Sequence, residues 1–402
     1  MTFEEGIARP VCDDDDVNPD QMKTVRKRLI AVVASYTLSL TNFRLELLKR
    51  MVEAGHEVVA FAPEDDETVK ADLAKIGVRL VTIPMARTGL NPFHDMATLI
   101  ALWRHFRRLK PDMIVPYTMK PIIYGGIAAR AAGIAERCFL VTGLGYVFSE
   151  AGTASKRDAI VRRLSIWLYR IAFRGAKVVF VYNDADIADI CRSRLLKDEA
   201  LLTLVPGSGI DLDRYAFSKP PSGAPVFLLM ARLLKDKGIV EYVEAARILR
   251  KKYPGAECQI LGDFDPNPAA ISRAEIEAWV AEGTLTYLGA TRDVRPYLAQ
   301  CSVFVLPSYY REGIPRSILE AMSTGRAIIT TDLPGCRDTV VAGVNGYLVE
   351  ARNPKSLAEA MGALAENPGL VEAMGRKSRE LAQSRFDVHA VNRILLERME
   401  LA

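Results

Sequence analysis

The amino-acid sequence predicts an α/β fold built from two open parallel sheets, and three observations support this prediction. From Leu29 onward, short apolar runs alternate with longer helical stretches, which is the pattern of parallel βαβ units. The chain has 402 residues, of which 50% are hydrophobic, so it can bury two cores. A proline-rich segment, residues 206–225, separates two such series. We therefore expect two α/β domains that face each other across a cleft.

The N-terminal series is predicted to alternate strands and helices, and Gly55 is placed to cap the end of the first helix. The predicted strands are 29–34, 57–62, 78–83, 113–116, 138–142, 178–181 and 202–205. The predicted helices are 42–54, 92–109 and 124–132. Together these elements define a domain over residues 28–205, and the acidic segment 1–27 before it is expected to be a disordered tail.

The C-terminal series follows the same pattern after the linker at residues 206–225. Its predicted strands are 226–230, 256–261, 285–288, 302–306, 327–330 and 346–349. Its predicted helices are 240–252, 273–282, one that begins at Pro315, and further helices from residue 354 onward. We assign 226–385 to a second domain and expect residues 386–402 to form a helix that packs back on the first.

Composition excludes several classes of protein. The net charge of +4 is too small for a nucleic-acid-binding protein unless the charge is clustered. The six cysteines contain no Cys-x-x-Cys pair, which indicates a reducing compartment, and the four histidines are too dispersed for a zinc site. No apolar run of about eighteen residues is present, so no membrane-spanning helix is predicted.

The most informative motif places two carboxylates, Glu312 and Glu320, eight residues apart where an apolar strand gives way to a helix. Pro315 suits the first position of that helix, because it has no N–H group to leave unpaired. A helix N-terminus presents free N–H donors and a partial positive charge, and can bind a phosphate. Glutamate near a helix start is also common as a cap, so a purely structural role is the alternative.

Two cations follow the first strand of the C-terminal series. Arg232 and Lys237 lie in a strand-to-helix turn that is predicted to share a sheet edge with Glu312. They could hold a diphosphate and stabilise the charge that grows on it during bond cleavage. A solvated basic loop is the alternative. Neither Gly143-Leu-Gly145 nor Gly207-Ser-Gly209 continues into a dinucleotide-binding fingerprint.

The spacing of Arg232, Lys237, Glu312 and Glu320 resembles that of the family 4 glycosyltransferases, over nearly the whole folded chain. Other segments resemble bacterial members that extend lipid-linked oligosaccharides, notably N-acetylgalactosaminyltransferases that act on undecaprenyl-diphosphate sugars. These segments are 42–44, 90–93, 117–121, 142–145, 205–211 and 262–268.

The resemblance implies a GT-B fold with two Rossmann-like domains, a UDP-sugar donor on the C-terminal one, and transfer with retention of configuration. It implies that Arg232 and Lys237 hold the donor diphosphate, Glu312 the sugar hydroxyls and Glu320 the ribose. Backbone groups of Gly313, Ile314 and Pro315 would face the sugar and phosphate. Residues expected to border the base are Gly262, Leu288 and Arg292. No cofactor and no metal are expected, since cations and the helix end would neutralise the leaving group.

One departure from the family pattern concerns the N-terminal domain. Many relatives carry a histidine near the reacting sugar, where this chain has Met119 and Lys120. Lys120 is therefore a candidate contact to phosphate or acceptor. Other candidates for the acceptor are Asn42, Arg44, Gly143 and Gly145.

A basic amphipathic segment, residues 156–177, is predicted to lie on an anionic membrane surface. An ordinary helix packed on the sheet is the alternative. A lipid-linked acceptor would require such docking. We therefore expect the protein to be cytoplasmic and peripheral, on the inner face of the cell membrane. The residues assigned to the membrane surface are Arg162, Arg163, Trp167, Arg170 and Arg174.

Two other functions remain open at this point. A nucleotide-sugar epimerase would use the same fold without two sugar partners, and the basic helix argues against it. A polyanion-binding or nucleic-acid-binding protein would use the basic stretches. The absence of a nucleic-acid-binding module and the predicted carboxylates in the cleft argue against that class.

Overall fold

The computed structural model describes residues 26–86, 89, 91–145, 148, 156–267 and 269–402. Within these residues the strands form one seven-stranded and one six-stranded parallel sheet. The predicted fold class, two parallel-sheet Rossmann-like domains, is confirmed. Of the segment predicted to be a disordered tail, only residues 26 and 27 are described.

The N-terminal sheet has the strand order β3-β2-β1-β4-β5-β6-β7. Its strands are β1 (Leu29–Val33), β2 (Glu57–Ala62), β3 (Arg79–Thr82), β4 (Met113–Pro116), β5 (Glu136–Val141), β6 (Val178–Val181) and β7 (Leu202–Leu204). The direction of strand order reverses between β1 and β4. Parallel sheets bind ligands beyond the carboxyl ends of their strands, at such a reversal.

The N-terminal helices differ from prediction where the chain leaves β1. The predicted helix 42–54 is wrong as one helix, because Arg44, with φ −126° and ψ −3°, divides it into two. The predicted helix 124–132 begins as a π-helical turn over Pro121–Gly125. The helices are α1 (Leu38–Phe43), α2 (Leu45–Glu53), α3 (Glu67–Lys75), α4 (Pro92–Leu109), α5 (Gly126–Ala132), α6 (Lys156–Ala172) and α7 (Asp184–Arg192).

The C-terminal sheet has the order β10-β9-β8-β11-β12-β13, and its direction reverses between β8 and β11. Its strands are β8 (Val226–Met230), β9 (Glu257–Leu261), β10 (Thr286–Tyr287), β11 (Val303–Leu306), β12 (Ala327–Thr331) and β13 (Gly346–Val349). Phe227 and Phe304 are fully buried between this sheet and its helices. The strand prediction is correct to within about two residues at each end.

The C-terminal helices begin close to their predicted positions, with one informative difference. Pro315 is not the first helical residue: its ψ of 116° is extended, and it forms the N-cap. Its carbonyl oxygen accepts the amide of Ile318 at 3.1 Å. The helices are α8 (Ile239–Lys252), α9 (Arg273–Ala281), α10 (Arg295–Gln300), α11 (Arg316–Thr324), α12 (Pro354–Glu366), α13 (Pro368–Arg385) and α14 (Val388–Met399).

The last helix, α14, lies against the N-terminal sheet. Lys177 Nζ donates to Met399 O at 3.3 Å, and Arg28 Nη1 donates to the same carbonyl at 3.4 Å. The linker is held to the segment that precedes α14, because the amide of Ile210 donates to Phe386 O at 2.7 Å. These bonds fix how the chain crosses between the two sheets.

Candidate functional site

The candidate site lies where the carboxyl ends of β8 and β11 face loops of the N-terminal sheet. The turn after β8 carries Arg232 and Lys237, and the loop after β11 carries Glu312. The two segments are joined through backbone, since the amides of Tyr309 and Tyr310 donate to Asp236 O at 2.9 and 3.0 Å. Parallel topology therefore brings these residues to one edge, as predicted.

Lys237 and Glu312 form an ion pair at the centre of this edge. Their side chains are only 12% and 13% exposed. Ser308 Oγ donates to Glu312 Oε1 at 3.0 Å, and Lys237 Nζ lies 4.8 Å from the centre of the Tyr310 ring. Burial alone would lower the pKa of Lys237, but the charge of Glu312 and the hydrogen bond to it together outweigh burial, and the pKa is raised. Lys237 is therefore charged at neutral pH.

Arg232 reaches the same edge but contacts a different carboxylate. Its Nη1 donates to Asp265 Oδ2 at 2.8 Å, and its side chain is 36% exposed. Asp265 follows β9, so this pair joins two adjacent strand ends. Asp265 contacts only Nη1, so a bound anion would share the guanidinium of Arg232 with it.

Glu320 is buried on the second turn of α11 and has partners of its own. Tyr215 Oη donates to its Oε1 at 3.0 Å, and Arg316 Nε lies 3.3 Å from the same oxygen. Burial raises the pKa of Glu320, and Arg316 opposes that shift. Among the described residues, Glu320 and Glu312 share no hydrogen-bond partner. The two predicted carboxylates therefore lie in separate environments.

The chain between Glu312 and α11 offers unpaired amides. Within the described ranges, the amide N–H groups of Gly313 and Ile314 have no hydrogen-bond partner. Among the described residues, no side chain caps α11, so the amide of Arg316 at its start is also left to solvent or ligand. Such a row of donors with a helix N-terminus suits a phosphate or a sugar oxygen.

Glycines let loops from both domains close around Gly313. A Cβ atom at Gly335 would overlap Gly313 O, and one at Gly313 would overlap Thr142 O. Gly143 lies against the amide of Gly313, and a Cβ atom at Gly145 would stand 2.9 Å from Tyr310 Oη. The two glycines predicted to contact the acceptor therefore lie beside the residues predicted to contact the donor.

The three residues predicted to border a base lie in different surroundings. Gly262 lies at the end of β9, where a Cβ atom would overlap Ala231 O, and its amide donates to Gly289 O at 2.8 Å. Leu288 is partly buried against the core. Arg292 instead reaches the N-terminal half, where its Nη2 lies 2.9 Å from Asp66 Oδ2.

The N-terminal candidates differ in whether their charges are neutralised. Lys120 Nζ pairs with Asp95 Oδ1 at 2.8 Å, and both side chains are nearly buried. Arg44 is buried between Tyr117 and Tyr182 and donates to Tyr182 Oη. Asn42 is half-buried in α1.

Sequence reasoning missed a cluster that joins the two domains beside Glu312. Arg311 pairs with Asp189 and lies 3.4 Å from Asp186 Oδ1, both on α7. Asn183, the N-cap of α7, donates to Gly313 O at 3.3 Å. The aspartates of α7 and the arginine beside Glu312 are visible in the sequence, but no local sequence pattern predicts that they form ion pairs.

The basic helix α6 exposes most of the residues assigned to the membrane surface. Arg163, Trp167, Arg170 and Arg174 are exposed. Arg162 departs from the prediction, because it is half-buried and its guanidinium lies 5.9 Å from the centre of the Phe148 ring.

Within the described ranges, no helix is long and apolar enough to cross a membrane. In the same part of the chain, no group of three or more His, Cys, Asp or Glu side chains could hold a metal ion.

Comparison with known families finds two matches in chain order. Residues 41–206 match the model of a glycosyl transferase 4-like domain, and residues 224–367 match glycosyl transferases group 1. The first range contains β2 to β7 and the second contains all six strands of the C-terminal sheet, and residues 207–223 of the linker separate them.

Two curated bacterial proteins are similar over most of the chain. The first is the N,N'-diacetylbacillosaminyl-diphospho-undecaprenol alpha-1,3-N-acetylgalactosaminyltransferase of Campylobacter jejuni, 30% identical over 83% of this chain and 88% of that protein. The second is the UDP-Gal:alpha-D-GlcNAc-diphosphoundecaprenol alpha-1,3-galactosyltransferase of Escherichia coli, 26% identical over 77% of this chain and 81% of that protein.

A solved structure shares the fold. HepE of Anabaena, in complex with UDP and glucose, superposes with a TM-score of 0.73 over 93% of this chain and all of that one, at 17% identity. The architecture is therefore GT-B.

Proposed function

The chain belongs to the family 4 glycosyltransferases, and from that premise we propose that it transfers a sugar from a UDP-sugar to a lipid-linked saccharide. The sugar proposed is an N-acetylhexosamine such as N-acetylgalactosamine, and the acceptor an undecaprenyl-diphosphate saccharide of bacterial glycan biosynthesis. The name of the Campylobacter jejuni relative supports both choices. The name of the Escherichia coli relative supports the acceptor and a UDP-linked donor, but the sugar in that name is galactose. The acceptor proposal also places the protein on the inner face of the cell membrane.

The observation that carries the proposal is the arrangement around Glu312. A buried ion pair with Lys237 adjoins the unpaired amides of Gly313 and Ile314 at the start of α11. Lys237 and these amides can stabilise the negative charge that develops on a departing diphosphate. Glu312 can then accept hydrogen bonds from sugar hydroxyls at Oε2, because Lys237 and Ser308 both contact Oε1.

We propose that the reaction retains the configuration of the sugar and uses no metal. Front-face attack would let the departing phosphate help to deprotonate the acceptor hydroxyl, with Arg232 and Lys237 bearing the charge that a metal bears in other enzymes. Glu320 would meet the ribose through Oε2, because Tyr215 and Arg316 both contact Oε1.

The donor is tested by thermal unfolding with a panel of nucleotide sugars, since a ligand that binds the folded state raises Tm. We expect UDP and UDP-N-acetylhexosamines to raise Tm, and GDP-sugars and ADP-sugars to leave it unchanged. A flat response to the UDP ligands would remove the donor proposal.

Transfer is tested with UDP-N-acetylgalactosamine and a synthetic undecaprenyl-diphosphate N-acetylhexosamine. We expect a disaccharide product, an α-linkage by NMR coupling from an α-donor, and an equal rate with EDTA or Mg²⁺. A β-linked product would contradict retention, and a rate abolished by EDTA would contradict metal independence. A product with a soluble sugar but none with the lipid would contradict the acceptor class.

A further inference from the structure

Arg44 is a buried cation without a buried anion. The residue is 3% exposed, and its Nη2 atom donates a hydrogen bond to Tyr182 Oη. In the part of the chain that the structure describes, its Nε and Nη1 atoms have no hydrogen-bond partner. Among the described residues, no carboxylate forms an ion pair with it, although ion pairs account for other buried cations such as Lys237.

The surroundings of Arg44 do not supply the missing negative charge. Its guanidinium carbon lies 5.1 Å from the centre of the Tyr117 ring and 5.9 Å from that of Tyr182. Burial raises the pKa of Tyr117 to about 12, so this phenol is neutral under physiological conditions. Aromatic faces attract a cation only weakly compared with an anion. An unpaired buried charge is costly, which favours a ligand as the missing partner.

The position of Arg44 is that of a ligand site. It separates α1 from α2 beyond the carboxyl end of β1, and Tyr117 and Tyr182 directly follow β4 and β6. Tyr182 also borders the donor side, since a Cβ atom at Gly313 would lie 3.1 Å from Tyr182 Cδ2. Arg44 therefore lies beyond the carboxyl edge of the N-terminal sheet, separated from the Gly313 loop by the ring of Tyr182. For a ligand to reach it, one of the rings that cover it, Tyr117 or Tyr182, must move.

The residue before Arg44 faces the C-terminal domain. Phe43 is partly exposed, and Arg316 of the C-terminal domain lies 5.9 Å from the centre of its ring. Phe43 and Tyr182, which adjoin Arg44 in sequence and in space, thus border α11 and the loop before it. By contrast Lys120, the other candidate cation of this domain, is already paired with Asp95.

We propose that Arg44 binds a substrate diphosphate group. Its place on the N-terminal domain favours the diphosphate of the lipid-linked acceptor, because the donor phosphates have Lys237 and the amides of Gly313 and Ile314 on the opposite domain. The inference rests on the function proposed above. It assigns the acceptor headgroup to a named side chain of the N-terminal domain.

The test compares Arg44→Gln with wild type by calorimetric titration. The probes are UDP alone, and farnesyl diphosphate with UDP at saturation, so that the donor site is already filled. We expect Arg44→Gln to weaken farnesyl diphosphate binding at least tenfold and to leave UDP binding within twofold. Arg44→Lys, which keeps the charge, should recover part of the affinity.

Arg137→Gln is the matched control. Arg137 is a partly buried guanidinium at the amino end of β5, bonded to the carbonyls of Arg174 and Gly175 at 3.2 and 2.8 Å. Its loss should change neither affinity by more than twofold. Unfolding without ligand adds a second readout: Arg44→Gln should keep or raise Tm, because it removes an uncompensated charge.

Three results would overturn the inference or the proposed function on which it rests. Unchanged affinity of Arg44→Gln for both probes would overturn the inference, and a lowered Tm would then make Arg44 a structural residue. Weakening of UDP alone would assign Arg44 to the donor and overturn the acceptor assignment. If wild type binds no UDP, the proposed function fails, whereas farnesyl diphosphate binding that depends on Arg44 would still support an anion site.

Discussion

At the residue scale, the two glutamates of the 312–320 motif are the same residue type but have different partners, which gives their carboxylates different roles. Glu312 pairs with Lys237 in a turn from another strand, and Glu320 is held by Tyr215 from the linker. The sequence was sufficient to predict that Arg232, Lys237 and Glu312 reach one sheet edge, because parallel strands end together. It could not predict that Asp265 would take Arg232, since side-chain pairing depends on distances that spacing does not specify.

The ion pair of Lys237 and Glu312 gives the first prediction. Each side chain is nearly buried, so Glu312→Gln leaves Lys237 without its anion and Lys237→Met leaves Glu312 without its cation. We expect each single variant to lose roughly 3 kcal/mol of stability and about 10²-fold or more in turnover. The double variant should regain stability but not turnover. The measurements are Tm and the initial rate of transfer.

The double variant separates the two roles of the pair. Recovery of stability without activity would show that the charges serve the reaction and not the fold. If the double variant is as unstable as the single variants, a buried charge without its partner is not the reason why the single variants lose stability. If turnover stays near normal in all three, the site assignment is wrong.

Gly335 gives a second prediction, which uses a glycine as a probe of the Glu312 loop. Gly335 and Gly343 have similar left-handed φ values of 83° and 76°. A Cβ atom at Gly335 would overlap Gly313 O, whereas one at Gly343 would meet nothing within 4 Å. Alanine at either position costs about 1 kcal/mol of backbone strain.

We expect Gly335→Ala to lower turnover at least tenfold through displacement of the 312–313 backbone, and Gly343→Ala to leave turnover within twofold. Transfer rates are measured at temperatures where both variants are folded. Equal rates in the two variants would show that the position of this backbone does not limit the reaction.

At the element scale, the fold departs from prediction where helices are short or interrupted. The break at Arg44 has no glycine or proline to signal it, and it follows from how α1 and α2 pack on different neighbours. Helices α3, α7 and α10 have no counterpart in the prediction, because nine or fewer residues give a weak periodic signal. The strands were predicted well, since most are buried apolar runs bounded by turn residues, although β3, β7 and β10 are partly exposed.

Helix α7 gives the third prediction, a pH dependence of stability. Asp186 is fully buried, and burial raises its pKa from 3.8 to about 6, against the opposing effect of Arg311. Between these values the folded protein binds more protons than the unfolded chain, so this residue's contribution to stability falls as pH rises. Above about pH 6 the full cost is present, roughly 3 kcal/mol.

Asp186→Asn removes this titration while its amide can still bond Asn183. We expect the free energy of unfolding of Asp186→Asn, minus that of wild type, to increase by roughly 2 to 3 kcal/mol between pH 4 and pH 7. Denaturant titrations at several pH values measure the difference. A difference independent of pH would show that Asp186 ionises at its ordinary pKa. Asp198→Asn, at an exposed turn cap, serves as the control.

At the scale of the whole molecule, the two domains meet through residues that are distant in sequence. Arg311 contacts Asp186, and Arg292 contacts Asp66. The two sheets, their succession along the chain and the linker between them were predictable, because each depends on patterns within one segment. The interface between the domains was not predictable, because it depends on which loops face each other after both sheets have formed.

The membrane proposal belongs to this scale, because its surface is made by several helices together. On α6, Ile160, Leu164 and Trp167 lie on one exposed side, with relative exposures of 65%, 53% and 57%. On α4, Phe93 and Trp103 are also exposed, and both helices pack against α5. The apolar side chains therefore share one face of the N-terminal sheet.

Fewer arginines beside this face are available for lipid than the sequence predicts. We therefore expect the apolar residues to contribute more to membrane binding. Arg162 is turned toward Phe148, and Arg170 donates to Ser193 O at 2.7 Å. Arg163 and Arg174 are exposed and can approach anionic headgroups. Insertion of Leu164 and Trp167 should therefore contribute more to binding than the charges do.

The last prediction follows from that difference. Leu164→Ser with Trp167→Ser should reduce binding to vesicles of phosphatidylglycerol at least tenfold, at low and at high salt, because apolar insertion is not screened. Arg163→Gln with Arg174→Gln should reduce binding only at low salt. The matched control replaces two exposed apolar residues of the C-terminal domain, Ile248→Ser with Val280→Ser, and should bind as wild type does. Vesicle co-sedimentation measures all four proteins. If the control weakens binding as much as the α6 variant, the N-terminal face is not the docking surface. If vesicle binding of wild type is absent at every salt concentration, a lipid-linked acceptor must reach the cleft without help from this face.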